Sequence, residues 1–227
     1  MQLEANQKQL IQRIINVFET GSPEGDYSTI SIFKDGPHNI RQITYGRSQT
    51  TEYGNLRKLV NDYVNAGGLF SQQLQPFAEQ VGSTPLTDNA EFKSLLRRAG
   101  KEDPVMRTTQ DKFFDDVYFR PAMKWADDHG FTQPLSGLVI YDSIIHSGSI
   151  LWVIRNKFSA SPPSAGGDER TWISEYVNAR HKWLGTHHRP AVRSTVYRTR
   201  CFQKEIERSN WDLSLTPVNA NGTAVTV

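Results

Sequence analysis

The sequence predicts a mainly α-helical domain of the α+β class, carrying one small β-hairpin. Three observations predict it. Apolar residues recur at helical spacing along most of the chain. Strand-like alternation is confined to one stretch, and Gly or Pro interrupts the apolar runs at helix-length intervals. Leu10, Ile14, Val17 and Phe18 form the stripe of a first helix, and Gly21 stops it. A hairpin is expected from about Tyr27 to Gln49, with Lys34-Asp35-Gly36-Pro37 at its turn. Leu56, Leu59, Val60, Tyr63 and Val64 mark the next helix, ended by Gly67-Gly68. Asp88 is placed to cap a helix carrying Phe92, Leu95 and Leu96, stopped by Gly100. Phe113, Phe114, Val117, Tyr118, Ala122 and Trp125 lie in a long helical segment, Gln110 to His129, which Pro121 should kink or split. Pro134 opens a very apolar helix, Leu135 to Ile145, expected at the buried centre. A Ser/Pro/Gly-rich loop from Ser159 to Gly167 precedes a helix marked by Trp172, Ile173, Tyr176 and Val177. The domain is expected to span residues 1–216. Residues 217–227, small and polar, are expected to fray.

Composition narrows the class of function without choosing one. A chain of 227 residues can bury one good core, or one split into two lobes. With 37% hydrophobic and 22% charged residues it has the balance of an ordinary soluble domain. A net charge of +2 is too weak to argue for nucleic acid, though it suits an anionic cell-wall polymer. Cys201 is the sole cysteine, which excludes an internal disulfide. No apolar run approaches the roughly 20 residues of a membrane span, so no membrane insertion is expected. Met1-Gln2-Leu3-Glu4 is too polar to open a signal segment. The expectation is a mature form, or a domain of a larger exported protein, acting outside the cytoplasm.

The chemistry-bearing residues are two carboxylates. Glu19 ends the first helix, beside Val17 and Phe18. A carboxyl half wrapped by apolar neighbours is placed to carry a proton near neutral pH. Asp35, on the hairpin, can stay ionised and activate water. Two carboxyls in opposite protonation states are what cleavage of a glycosidic bond requires. Each residue also has a plainer reading. Glu19 could be a solvated helix end, Asp35 an ordinary turn residue and Thr44 a β-former. His181, His187 and His188 lack a carboxylate or cysteine partner at metal-ligand spacing, which reads as a basic surface. Cys201 reads as a packed thiol. No metal or cofactor is called for.

Seven segments recur in an order that resembles a known family. They are Glu19 itself, Ile43-Thr44-Tyr45-Gly46, Asp116-Val117-Tyr118-Phe119-Arg120-Pro121-Ala122, Tyr141-Asp142-Ser143-Ile144-Ile145-His146-Ser147-Gly148, Gly166-Gly167-Asp168-Glu169-Arg170-Thr171-Trp172, Asn178-Ala179-Arg180 and Asn210-Trp211-Asp212-Leu213. The chain resembles the chitosanases of the lysozyme-like superfamily, glycoside hydrolase family 46. That resemblance implies two helical lobes around a cleft and an inverting mechanism, with the carboxyls about 6.5–9.5 Å apart to admit water. It places Glu19 at the general acid and Thr44 where a hydroxyl positions that water. Asp35 matches the general base, although the family's Gly-Arg-Gly-Tyr-Thr run is replaced here by Asp35-Gly36-Pro37-His38-Asn39-Ile40-Arg41-Gln42-Ile43-Thr44. Glu24 or Asp26 could take the role instead. The resemblance also implies an ion network behind the glutamate, from Asp142, Arg180 and Arg198, with Arg193 and Arg200 close to the last. A buried aspartate needs such partners on physical grounds too.

Substrate follows less directly. The family lines its cleft with acids, one of them in a Gly-Asp pair after the hairpin. This chain has Gly54-Asn55 there, and Arg41 and Arg47 flank the hairpin beside Tyr45. Arg41, Tyr45, Arg47 and Asn55 are therefore the candidate substrate contacts, and they suit an N-acetylated or anionic glycan. Peptidoglycan cleavage (a muramidase) leads on this reading, chitosan hydrolysis is the alternative, and a non-catalytic glycan-binding module is a third. The expected partner is a polymeric glycan, with no nucleic acid, met by a monomer. An immunity partner is not legible in the sequence.

Overall fold

The computed structural model describes residues 1–47 and 49–227 and divides the chain into two compact units, Met1–Pro23 with Asp116–Val227, and Glu24–Asp115. The architecture is mainly helical with small antiparallel sheets, as the periodicity requires.

In the first unit the most apolar helix lies innermost. α7 (Pro134–Ser147) buries every residue from Pro134 to Ser143. It packs against α1 (Ala5–Thr20), α6 (Arg120–Asp128), α9 (Glu169–Gly185) and α11 (Val196–Glu207), while α8 (Trp152–Arg155) and α10 (Pro190–Arg193) pack on α9. Gly21 ends α1 as expected, with φ at 78° and its N–H donated to the Val17 carbonyl at 3.0 Å. Pro121 sits in the first turn of α6, behind a π-helical turn at Asp115–Phe119 that divides the segment from Gln110 to His129. Residues 217–227 do not fray. They form β4 (Val218–Ala220) and β5 (Thr223–Val225), an antiparallel hairpin packed on α1, with Val218, Ala220 and Val225 fully buried. Asn221 and Gly222 take φ of 50° and 90° between the strands. An Asn-Gly pair between alternating residues is a strong short-range hairpin signal, and here it outweighs terminal position.

The second unit holds a three-stranded sheet in the order β1 (Ile30–Phe33), β2 (Gln42–Tyr45), β3 (Thr50–Thr51). Thr44 pairs with Ser31 on one side and Thr51 on the other. Around it lie α2 (Leu56–Asn65), α3 (Ser71–Ala78), α4 (Ala90–Glu102) and α5 (Pro104–Phe114). Two expectations need correction. Asn89, not Asp88, caps α4, its side chain accepting the Phe92 N–H at 2.9 Å. Gly100 does not stop α4, which runs on to Glu102. Gly100 is there because backbone lies against it, since a Cβ would stand 2.0 Å from the Tyr27 carbonyl oxygen. Gly100→Ala must push the Tyr27 backbone aside and should destabilise the fold by about 1–3 kcal/mol, read from urea midpoints. An unchanged midpoint would refute this packing.

Among the described residues no helix is long and apolar enough to cross a membrane.

Candidate active site

The stripe that buries Leu10, Ile14, Val17 and Phe18 carries Glu19 to the last turn of α1, just before Gly21 turns the chain. The Glu19 side chain is 12% exposed and its Oε1 accepts a hydrogen bond from Arg198 Nη2 at 2.7 Å. Arg198 Nη1 donates to Asp142 Oδ1 at 2.7 Å, and Arg180 Nη1 donates to Asp142 Oδ2 at 2.6 Å. Four helices therefore contribute to one chain of alternating charge, Glu19–Arg198–Asp142–Arg180. Asp142 is fully buried and the two arginines nearly so. Arg198 is also braced by aromatic faces, 5.3 Å from the Phe18 ring and 5.7 Å from that of Tyr197. The Tyr197 hydroxyl donates to the Phe18 carbonyl at 3.0 Å, fixing the turn that presents Glu19.

Charge states in this chain follow from its geometry. Burial opposes ionisation of Asp142, but the guanidinium groups of Arg180 and Arg198 prevail and hold its carboxyl below the usual carboxylate range. Burial likewise works against the Arg198 cation, and Asp142 and Glu19 outweigh it, holding the guanidinium even more firmly protonated than usual. His146, one turn after Asp142 on α7, is pushed down from 6.5 to about 4, by burial first and by Arg198 second. Its depressed value fixes a sign. Between pH 6.5 and about 4 the unfolded chain binds a proton that the folded chain refuses. Stability should therefore fall as pH drops through that window and level off below it, by at most about 3 kcal/mol. His146→Gln should flatten that part of the pH dependence of the urea midpoint. A slope that persists in the variant would assign it elsewhere.

The second unit carries the other candidates. Asp35 is exposed in the β1–β2 connection, its Oδ1 accepting from Gln42 Nε2 at 2.9 Å. The Gln42 side chain is buried and its Oε1 accepts the Tyr53 N–H at 3.3 Å, so the strand holds Asp35 through an amide. Thr44 is buried, and among the described residues its Oγ1 has no hydrogen-bond partner. Asp26 is occupied locally, its Oδ1 accepting from the Ser28 and Thr29 backbone N–H groups and the Ser28 hydroxyl. Glu24 is exposed.

The candidate substrate contacts fare worse. Tyr45 is fully buried, donating to the Leu96 carbonyl at 2.7 Å and accepting from Gln110 Nε2. It is a core residue. Arg47 is 3% exposed, stacks over the Phe114 ring at 4.9 Å and pairs with Asp111 at 2.5 Å. It cannot supply a cationic glycan surface. Arg41 is about half exposed but paired with Asp88 at 3.2 Å. Asn55 is half-buried where α2 begins.

Sequence reasoning missed two buried residues that hold the hairpin. Glu52 accepts the Ile43 N–H at 3.0 Å through Oε2 and the Leu86 N–H at 2.6 Å through Oε1. Gln110 accepts the Arg47 N–H at 3.0 Å and donates to the Tyr27 carbonyl at 2.8 Å. Neither belongs to a motif, so no sequence signal marked them.

The histidines are engaged elsewhere. His181 meets the Thr199 hydroxyl at 2.8 Å, and His187 stacks on His188. Burial raises the Cys201 thiol far above its usual range, so it stays protonated and unreactive. Among the described residues no group of three or more His, Cys, Asp or Glu is placed to hold a metal ion.

Comparison with known proteins gives a consistent result. The model of glycosyl hydrolase family 46 matches residues 13–218. A chitosanase of Bacillus subtilis (strain 168) is 26% identical over 230 aligned residues, covering 93% of this chain and 81% of the relative. The structure of a family 46 chitosanase from Gynuella sunshinyii in complex with chitotetraose superposes with a TM-score of 0.80 at 26% identity, covering 100% of this chain and 99% of that one. A mutant chitosanase from Bacillus subtilis MY002, complexed with six glucosamine units, gives 0.79 at 25% identity over 95% and 94% of the two chains.

Proposed function

This chain belongs to glycosyl hydrolase family 46 and is a glycoside hydrolase, and on that premise we propose that it cuts β-1,4-linked glucosamine polymers of the chitosan type by an inverting, two-carboxylate mechanism. The family match over residues 13–218 supports reading the chain as one catalytic domain, which takes in the β4–β5 hairpin rather than ending at 216.

The observation that carries the reading is the Glu19 carboxyl, almost buried and anchored through Arg198 to the Asp142–Arg180 pair. The Arg198 bond uses Oε1 and favours the carboxylate, so the proton that Glu19 must carry for the acid step is held on Oε2 against the pull of that ion pair. Glu19 gives that proton to the leaving glycosidic oxygen while water attacks the anomeric carbon from the opposite face. The water's proton goes to the general base, so no covalent intermediate forms. Once Glu19 is a carboxylate, Arg198 stabilises it. Asp35 is the favoured base, because its carboxylate is exposed and held by Gln42, whereas Asp26 is consumed in a turn. The Thr44 hydroxyl, without a protein partner among the described residues, suits the positioning of the attacking water. Asp35→Asn should lower kcat by about 10²-fold or more, against little change for Asp26→Asn and Glu24→Gln. Equal losses at Asp26 or Glu24 would reassign the base.

Chitosan now ranks above peptidoglycan. The case for an anionic glycan rested on Arg41 and Arg47, and both are ion-paired, the second one buried. The named relatives are chitosanases, matched over 81% and 99% of their own lengths. Peptidoglycan cleavage remains a second reading, since the amide of Asn55 stands where the family carries an acid. Reducing-end release from chitosan, measured beside turbidity clearing of purified peptidoglycan, separates the two. Clearing of peptidoglycan without release from chitosan would overturn the assignment. A monomer acting outside the cytoplasm, where such polymers occur, completes the proposal.

A further inference from the structure

The Glu19 network uses one face of α9, the buried face that carries Arg180. Glu175, Asn178, Ala179, Lys182, Trp183 and Thr186 recur at spacings of three and four and so share another face of that helix. That second face lines an open pocket of about 1110 Å³, bordered by Val153 of α8 and the segment 156–159. No lining residue belongs to the Glu19–Arg198–Asp142–Arg180 chain. Nothing in the proposed mechanism uses it.

Its chemistry is specific. Lys157 and Lys182 are exposed, both line the cavity, and among the described residues neither forms an ion pair. Glu175 is the lining carboxylate, and its Oε2 already accepts the Ala160 N–H at 3.1 Å. Asn178 Oδ1 accepts from Gln203 Nε2 at 2.9 Å, which leaves the Asn178 amide group to donate. Phe158 is packed, with Arg155 over its ring at 4.6 Å and Trp172 edge-on at 5.3 Å. Trp183 is half-buried, and among the described residues its one ring contact is a T-shaped one with His187, centroids 4.7 Å apart. Beside Val153 in the chain, Trp152 is 74% exposed, an unusual cost for the largest apolar side chain.

We propose that this cavity is a non-catalytic binding site for an anionic oligosaccharide, with a sugar face stacked on Trp183 and a carboxylate held by Lys157 and Lys182. An aromatic face combined with amide donors fits a sugar ring, and two unpaired ammonium groups select a negative one. The same lysines repel glucosammonium units, so the site does not serve the substrate polymer. It would hold the enzyme on an acidic glycan while the Glu19 site works on a different chain.

The test is a titration of the whole protein with a galacturonic acid tetramer, beside neutral N-acetylglucosamine and cationic glucosamine tetramers. The galacturonate should bind, more weakly as salt is raised, and the double variant Lys157→Glu/Lys182→Glu should lose about tenfold or more in affinity. Trp183→Ala should weaken binding as well. Chitosan hydrolysis by the lysine variant should stay within about twofold of wild type. The lysines are exposed, so the charge reversal leaves the fold intact and keeps the test decisive. The proposal is overturned by no galacturonate binding, by binding that the lysine variant leaves unchanged, or by equal affinity for the neutral tetramer. Loss of chitosan hydrolysis in the lysine variant would also overturn it, by placing the cavity in the path of the substrate.

Discussion

Glu19→Gln should reduce kcat on chitosan by about 10²–10⁴-fold, the range a positioned general acid contributes, with KM moving far less. Glutamine keeps the size and the hydrogen-bonding oxygen that meets Arg198 Nη2, but it has no acidic proton for the leaving sugar oxygen. The loss therefore falls on a step made only in the transition state, which lowers kcat and kcat/KM together. The fold should tolerate the change. Arg198 remains paired with Asp142 at 2.7 Å and packed over Phe18, so no buried cation is left without a counterion. Reducing-end assays on purified wild type and variant, checked against matching thermal midpoints, decide the matter. If the variant keeps more than about a tenth of wild-type kcat, Glu19 is not the acid. A loss of activity that tracks a loss of folded protein would make its role structural instead.

The elements that carry Glu19 were legible because local signals agreed there. The stripe from Leu10 to Phe18 and the left-handed Gly21 point to one helix end, and the structure has it. α7 was legible for a similar reason, since its run after Pro134 is apolar all round and such a helix can only lie inside. The ion network was not legible from periodicity. Glu19, Asp142, Arg180 and Arg198 are far apart in the chain, and no spacing rule brings them together. Only the family resemblance did. The hairpin shows where pattern reading fails. All four residues of β2, Gln42 to Tyr45, are buried, so alternation gives no inward and outward faces. Tyr45 and Arg47 were accordingly read as reaching for substrate, when one supports Leu96 and the other lies on Phe114. Gly100 fails for the opposite reason. A glycine required by backbone from a distant segment looks the same, in sequence, as one that ends a helix.

Asp142→Ala should cost about 3–5 kcal/mol of stability, the largest loss expected from any single change at the site. The carboxylate is the shared counterion of Arg180 and Arg198, which are 1% and 4% exposed. Removing it leaves two buried cations, with only Glu19 as an ion-pair partner for Arg198. Breaking one partner from a buried set is far more damaging than replacing the whole set with apolar residues. Asp142→Ala with Arg180→Met should therefore lose less than the sum of the single changes, and the coupling should be measurable by urea unfolding of all four proteins. The same linkage gives the acid limb its sign. Because the folded state holds the Asp142 carboxyl below the usual 3.8, its stabilisation is complete above that pH and is lost as pH falls through the depressed value. That loss lies below the window assigned to His146, so the two contributions separate along one titration. Asp142→Asn removes the charge, keeps the shape and should abolish the lower limb, while the His146 limb shifts to lower pH because the Asp142 carboxylate that favours its imidazolium is gone. A variant as stable as wild type, with both limbs intact, would mean that Asp142 is not the keystone between Glu19 and Arg180. The positioning of Glu19 would then rest on its direct bond to Arg198 and on the Phe18–Tyr197 contact.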